Sequence, residues 1–95
     1  MHARVNAGRV EPDKMDEFVA AVQSLLPRAK QQAQGLTSAL VLGDRSTGKI
    51  VLVSRWESEA AGEAAEPVYQ EAMRELGALL AEPPTRERYE VLLEA

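Results

Sequence analysis

The chain has no cysteine, one histidine and only four aromatic residues: one Trp, two Tyr and one Phe. Without cysteine there is no disulfide framework, no thiolate metal ligand and no cysteine nucleophile. The single histidine, His2, is the only side chain whose ordinary pKa lies near neutrality. Its place at the second position argues against the fixed geometry that proton transfer needs. Positive charge is also scarce: eleven Lys and Arg are interspersed with fifteen Asp and Glu, for a net charge of −4. That balance leaves no basic stripe, so nucleic acid is not an expected partner. No apolar run approaches the ~20 residues of a membrane helix, and the stretch from Met1 to Asn6 has no apolar core of signal-peptide length. No membrane association and a cytoplasmic location are the resulting expectations. Glycine-rich phosphate loops, His-x-x-x-His pairs, paired-carboxylate ligand clusters and nucleophile-elbow serines are missing too, so neither a hydrolase nor a metal site is expected.

What is present reads as one α+β domain over residues 1–95, with hydrophobic residues at 45% and charged residues at 27%. Val5, Ala7 and Val10 with Arg4 and Arg9 read as a first strand from His2 to Val10. Pro12 then suits a first helical turn, acidic Asp13, Asp16 and Glu17 complement the positive end of the helix dipole, and Met15, Phe18, Val19, Val22, Leu25, Leu26 and Ala29 recur at three and four. Pro27 inside this pattern predicts a kink or break near Leu26, and Gly35 is placed to cap the far end. Leu36 to Gly43 and Lys49 to Trp56 predict an antiparallel hairpin around Asp44-Arg45-Ser46-Thr47-Gly48. Strand alternation puts Leu36, Leu40 and Leu42 on one side of it, with Ala39 and Val41 on the other. Likewise Ile50, Leu52 and Trp56 oppose Val51 and Val53. Both faces of the sheet are thus apolar, two helices can cover only one, and a sheet-to-sheet homodimer is the simplest supply of the second cover. Glu57 to Glu66 predicts a short helical turn capped by Ser58. Pro67 opens a second long helix striped by Tyr69, Ala72, Met73, Leu76, Leu79 and Leu80, which Pro83-Pro84 ends. Arg86 to Leu93 predicts a last strand with Tyr89, Val91 and Leu93 on one side. The order strand, helix, strand, strand, helix, strand is the ferredoxin-like βαββαβ pattern, a four-stranded antiparallel sheet with both helices on one face.

With that order, the Trp56-Glu57-Ser58-Glu59 ending of the third strand and Tyr89-Glu90-Val91 in the last, nearly the whole chain resembles the antibiotic biosynthesis monooxygenase-like family of dimeric α+β barrels. The resemblance implies a scaffold used by cofactor-independent oxygenases of phenolic or anthrone-type substrates, by heme-degrading monooxygenases, by quinol oxygenases and by members without assigned activity. The heme-degrading branch has an asparagine on the first strand, a tryptophan after the third strand and an axial histidine on the second long helix. Asn6 matches the first, whereas Glu63 stands near the tryptophan position and Met73 at the histidine position. The quinone-forming branch resembles this chain at Trp56, but Leu52 occupies the place of its asparagine four residues earlier.

These residues give the candidate site. Asparagine is disfavoured in strands, so Asn6 is the first candidate, as an amide able to hold a substrate oxygen. Trp56 offers a large apolar wall with one donor, Tyr69 a hydroxyl on the inner stripe of a helix, and Met73, Leu52 and Phe18 apolar contact with a substrate. For each aromatic or apolar member the competing reading is a core residue. The leading expectation is a cofactor-independent monooxygenase of a small reduced aromatic, of hydroquinone or anthrone type, with Asn6, Trp56 and Tyr69 in the active site. The alternative is a non-catalytic dimeric module that binds or senses a small apolar molecule.

Overall fold

Hydrophobic alternation and turn chemistry are realised as four strands and three helices in a computed structural model that describes residues 1–95. They are β1 (His2–Arg9), α1 (Met15–Gln32), β2 (Leu36–Gly43), β3 (Lys49–Trp56), α2 (Glu59–Ala64), α3 (Glu66–Leu76) and β4 (Thr85–Glu90), with short 3-10 turns at Pro12–Lys14 and Gly77–Leu79. The strands form one antiparallel sheet in the order β2-β3-β1-β4, with the helices on one face, which is the ferredoxin-like fold. His2 is therefore pinned at the start of a central strand rather than frayed.

The β2–β3 turn follows from its side chains. Asp44 accepts hydrogen bonds from the Ser46 amide and hydroxyl, and Gly48 takes φ +81. Glycine is required there, because a Cβ would lie 1.9 Å from the carbonyl oxygen of Val10. That closeness lets the Val10 amide donate to the Gly48 carbonyl at 2.9 Å, tying the end of β1 to the hairpin. Ser58 caps α2, its hydroxyl accepting from the Ala61 amide at 3.1 Å.

Four sequence expectations are corrected. α1 passes through Pro27 without a break. Pro27 and Gln23, the residue whose carbonyl loses its amide partner, both lie on the exposed side, where the carbonyl is open to solvent. Leu36 does not share a face with Leu40 and Leu42. A bulge between Leu36 and Ser38, held by the Thr37 hydroxyl donating to the Arg55 carbonyl at 3.1 Å, turns Leu36 to the helix side opposite Trp56. The last strand spans Thr85–Glu90 rather than Arg86 to Leu93, so Leu92 and Leu93 stand out at 85% and 89% exposure. The second long helix starts one residue before Pro67, at Glu66.

The register decides which face meets the helices. Residues directly opposite each other share a face, so Ile50, Leu52 and Trp56 carry Gly8, Asn6 and His2 with them toward α1 and α3. Burial there is split into two clusters. One gathers Val10, Met15, Phe18, Val22, Leu25, Ile50 and Leu76; the smaller gathers Ala33, Trp56 and Ala65. The outer face carries Leu40 and Leu42, which are 56% and 48% exposed, beside Val5, Val51 and Val53.

Candidate functional site

Three rows of residues cross the inner face of the sheet. Val41, Leu52, Asn6 and Arg86 form one; Ala39, Ser54, Arg4 and Arg88 the next; Leu36, Trp56, His2 and Glu90 the third. The rows change character from left to right. They are apolar over β2 and β3 apart from Ser54, carry an amide, a guanidinium and an imidazole on β1, and become charged on the edge strand β4.

Between these rows and the helices, α1 and α3 do not close completely. They leave a cavity of about 120 Å³ whose wall is mostly hydrophobic and draws on both core clusters. Asn6, Leu52, Trp56 and Tyr69 all line it, as do Arg4 and Arg86. A smaller adjoining cavity of about 30 Å³ lies toward the Gly8 and Ile50 end of the sheet. It shares Asn6, Leu52 and Tyr69 with the first and adds Phe18 and Met73. The fold thus brings all six residues singled out in the sequence around two contiguous spaces. They are not equally free. Phe18 and Trp56 are 3% and 7% exposed and belong to the core clusters. Met73 and Leu52 are half-buried, and Met73 packs against the larger cluster.

The polar groups have definite partners. The Trp56 indole N–H donates to the Ser54 hydroxyl at 3.0 Å, which fixes the ring as a wall. Arg86 makes a two-pronged contact with Glu66, Nη2 to Oε1 at 2.7 Å and Nη1 to Oε2 at 3.0 Å, while the Gln70 amide donates to Glu66 Oε2 at 2.8 Å. These bonds, Arg86 first, hold the Glu66 carboxyl at about 2, far below its usual range, and the same pairing raises Arg86. The Arg86 guanidinium also lies 3.7 Å from the centre of the Tyr69 ring, a cation–π contact. Burial raises the Tyr69 hydroxyl above its usual value, so it is a protonated donor at neutral pH. None of the side-chain bonds around the cavity engages Asn6, whose amide is available to a ligand.

The sequence reading missed Arg4. It is 6% exposed, and its Nε and Nη2 are withdrawn from solvent without hydrogen-bond partners. Arg86 was missed as well, having been read only as the first residue of the last strand. A signal existed: Arg4 stands two residues before Asn6, so any argument placing Asn6 inside places Arg4 inside too.

Comparison with known proteins fits this geometry. The family model of antibiotic biosynthesis monooxygenases matches residues 1–75. No curated protein matches the chain. Among solved structures, Rv0793 from Mycobacterium tuberculosis superposes with a TM-score of 0.76 at 22% identity over 99% of this chain and 97% of that one. A candidate antibiotic biosynthesis monooxygenase from Bordetella bronchiseptica gives a TM-score of 0.80 at 21% identity, with 97% of each chain covered. The NE2512 protein of unknown function from Nitrosomonas europaea gives 0.79 at 21% identity, covering 99% and 91%. At these identities the likenesses speak for the fold.

Proposed function

The chain belongs to the antibiotic biosynthesis monooxygenase family, and from that premise we propose that it is a cofactor-independent monooxygenase of a small reduced aromatic, of hydroquinone or anthrone type. The observation that supports this most is the mostly apolar cavity beside Asn6 and Tyr69, with the Trp56 ring as one wall. In this chemistry the substrate supplies the electrons. A deprotonated hydroquinone or anthrone carbon gives four electrons to one dioxygen; one oxygen atom becomes a new ring carbonyl or hydroxyl, and the other leaves as water with the protons released. The protein has to exclude water, hold the ring against dioxygen and favour the oxyanion form of the substrate. Asn6 donates its amide N–H to that oxyanion, the Tyr69 hydroxyl donates a second bond, and Trp56 fixes the ring plane. Leu52, Met73 and Phe18 supply apolar contact where the two cavities join.

The test is oxygen uptake with a panel of dihydroxyaromatics. Acceleration over buffer is expected, with Asn6→Ala reducing turnover about 10²-fold while the protein stays folded, the usual loss when one oxyanion donor is removed. No acceleration for any member of the panel would sink the reading.

One observation favours the second reading, a binding or sensing module without turnover: no carboxylate or histidine lines the main cavity to take a proton from the substrate. It predicts ligand binding without oxygen uptake in both the parent protein and Asn6→Ala. Either role is proposed for a homodimer formed through the outer sheet face, where Leu40, Leu42 and their valine neighbours stand open.

A further inference from the structure

Gly8 is a glycine that neither backbone nor packing calls for. Glycine inside a strand weakens it, and it persists there for a bulge or bend, for the close approach of another backbone, or for a ligand. The β1–β3 ladder runs without a register shift past Gly8 to Arg9 and Lys49, so the strand neither bulges nor turns away at this point. Positive φ is confined to Gly35 and Gly48, so the Gly8 backbone is open to any L residue. No neighbour crowds it either. A Cβ would sit 3.6 Å from Leu80 Cδ2, 3.6 Å from Pro84 Cβ and 3.8 Å from Pro84 Cα, all ordinary van der Waals distances. Of the usual causes, a ligand is the one left.

What Gly8 faces is the smaller cavity. It stands opposite Ile50 on the inner face, two residues beyond Asn6, and lines that space of about 30 Å³ with Phe18, Met73, Leu80 and Pro84. One water-sized sphere takes about 10–15 Å³, so the space holds one or two heavy atoms. Apart from Asn6 and Tyr69 the side chains around it are apolar, which suits carbon and leaves a polar atom unpaired. Asn6, Leu52, Tyr69 and Leu76 line both cavities and so mark the join. The buried polar side-chain atoms that lack a partner are on His2 and Arg4. Asn6 and Tyr69 make no side-chain hydrogen bond either, so their polar atoms are still open to the space they line. An oxygen held there has the larger cavity on one side, with the Trp56 wall, and the small lobe on the other. Only a short group on the carbon next to that oxygen can enter the lobe. The larger space, at about 120 Å³, is close to the ~150 Å³ of a dry protein cavity that takes up benzene.

We propose that the smaller cavity is a substituent subsite whose size Gly8 sets, and that it selects a single-ring phenol or hydroquinone with a methyl group ortho to the oxygen at Asn6 and Tyr69. This deepens the oxygenase reading, and rests on it only for turnover: a substrate of this class is a hydroquinone carrying one ring methyl.

Calorimetric titration of the whole protein with phenol, ortho-cresol and para-cresol tests the binding, since it needs no turnover. The two cresols differ only in where the methyl group stands. Ortho-cresol is expected to bind about 10-fold tighter than para-cresol, the low end of what one carbon contributes in a fitted apolar pocket. Gly8→Ala puts the protein's own methyl group in the lobe, so ortho-cresol should fall to the affinity of para-cresol while phenol is unaffected. The melting temperature should hold or rise, because alanine restricts the unfolded chain more than glycine does. Met73→Ala acts in the opposite direction by enlarging the lobe, and should make ortho-isopropylphenol bind tighter than ortho-cresol; it serves as the second variant should Gly8→Ala not fold. Equal binding of the two cresols by the parent protein, no binding of any phenol, or an ortho preference that neither variant changes would overturn the proposal. So would a lower melting temperature in Gly8→Ala with all three ligands weakened together, the result expected of a purely structural glycine. Ortho preference without oxygen uptake on methylhydroquinone would overturn the oxygenase reading and keep this one. Oxygen uptake on hydroquinone with no ortho preference would do the reverse.

Discussion

Two arginines and one glutamate set the chemistry of the polar end of the cavity, and the glutamate is the one that titrates in an accessible range. Glu66 has an ordinary value of 4.5 and is held at about 2 in the fold. A depressed carboxyl binds its proton more weakly when folded than when unfolded, so its contribution is complete above about pH 4.5 and is lost as pH falls through about 2. Because 37% of the side chain is exposed, solvent screening limits that contribution to about 1 kcal/mol rather than the full shift. Thermal melts from pH 6 to 2 should show the parent protein more stable than Glu66→Gln near neutrality, with the gap closing between pH 4.5 and 2. A gap that stays constant over that range would mean that the Arg86 contact contributes nothing through charge. Asn6, Trp56 and Tyr69 were legible in the sequence because each is an unusual residue in a patterned stretch. Arg4 was not, because an arginine on a strand reads as solvated until the pairing with β3 shows that its face is the covered one. Its burial is a property of register, and register is fixed by partners distant in sequence.

The elements themselves were largely written in local chemistry. β2 and β3 span the residues expected from alternation, since Asp44 and Gly48 allow one turn between them. What local pattern could not show is an extra residue in a ladder: the bulge at Thr37 depends on Arg55 across the hairpin, and it alone brings Leu36 onto the Trp56 side. Pro27 is the opposite case, a strong local signal overruled by packing. Leu25 and Val22 on the preceding turns are held in the larger core cluster, and Ala33 beyond the helix in the smaller, so α1 stays helical past one missing bond. A proline in a helix interior costs about 3 kcal/mol relative to alanine, and its exposed site means that no packing is lost on truncation. Pro27→Ala should therefore raise the unfolding free energy by about 1–3 kcal/mol in urea titrations, with unchanged denaturant slope. An unchanged or lowered stability would show that the ring is needed to shape the α1 wall of the cavity.

At the scale of the whole molecule the sheet is asymmetric, with one face spent on two core clusters and a cavity and the other open. The open face carries Leu40 and Leu42 on β2 with Val51 and Val53 on β3, and β1 extends it with Ala3, Val5 and Ala7. Charged groups are kept to its edges: Arg55 is drawn to Glu94, and Tyr89 on β4 is hydrogen-bonded to Glu87. A continuous apolar patch with a charged rim is what an interface between identical chains requires, because a two-fold axis through its centre sets the same leucines and valines against each other. A glutamate at that centre would be desolvated opposite its own copy, at a cost of several kcal/mol per ion after relaxation. The homodimer proposed for this face predicts that the parent protein sediments as a dimer and that Val51→Glu and Val53→Glu sediment as monomers at the same concentration. Their circular dichroism should be unchanged, since both side chains point away from the helices. If neither substitution alters the sedimentation coefficient, the outer face is not the interface. The cavity, which lies wholly on the other side of the sheet, would then be a site that one chain completes alone.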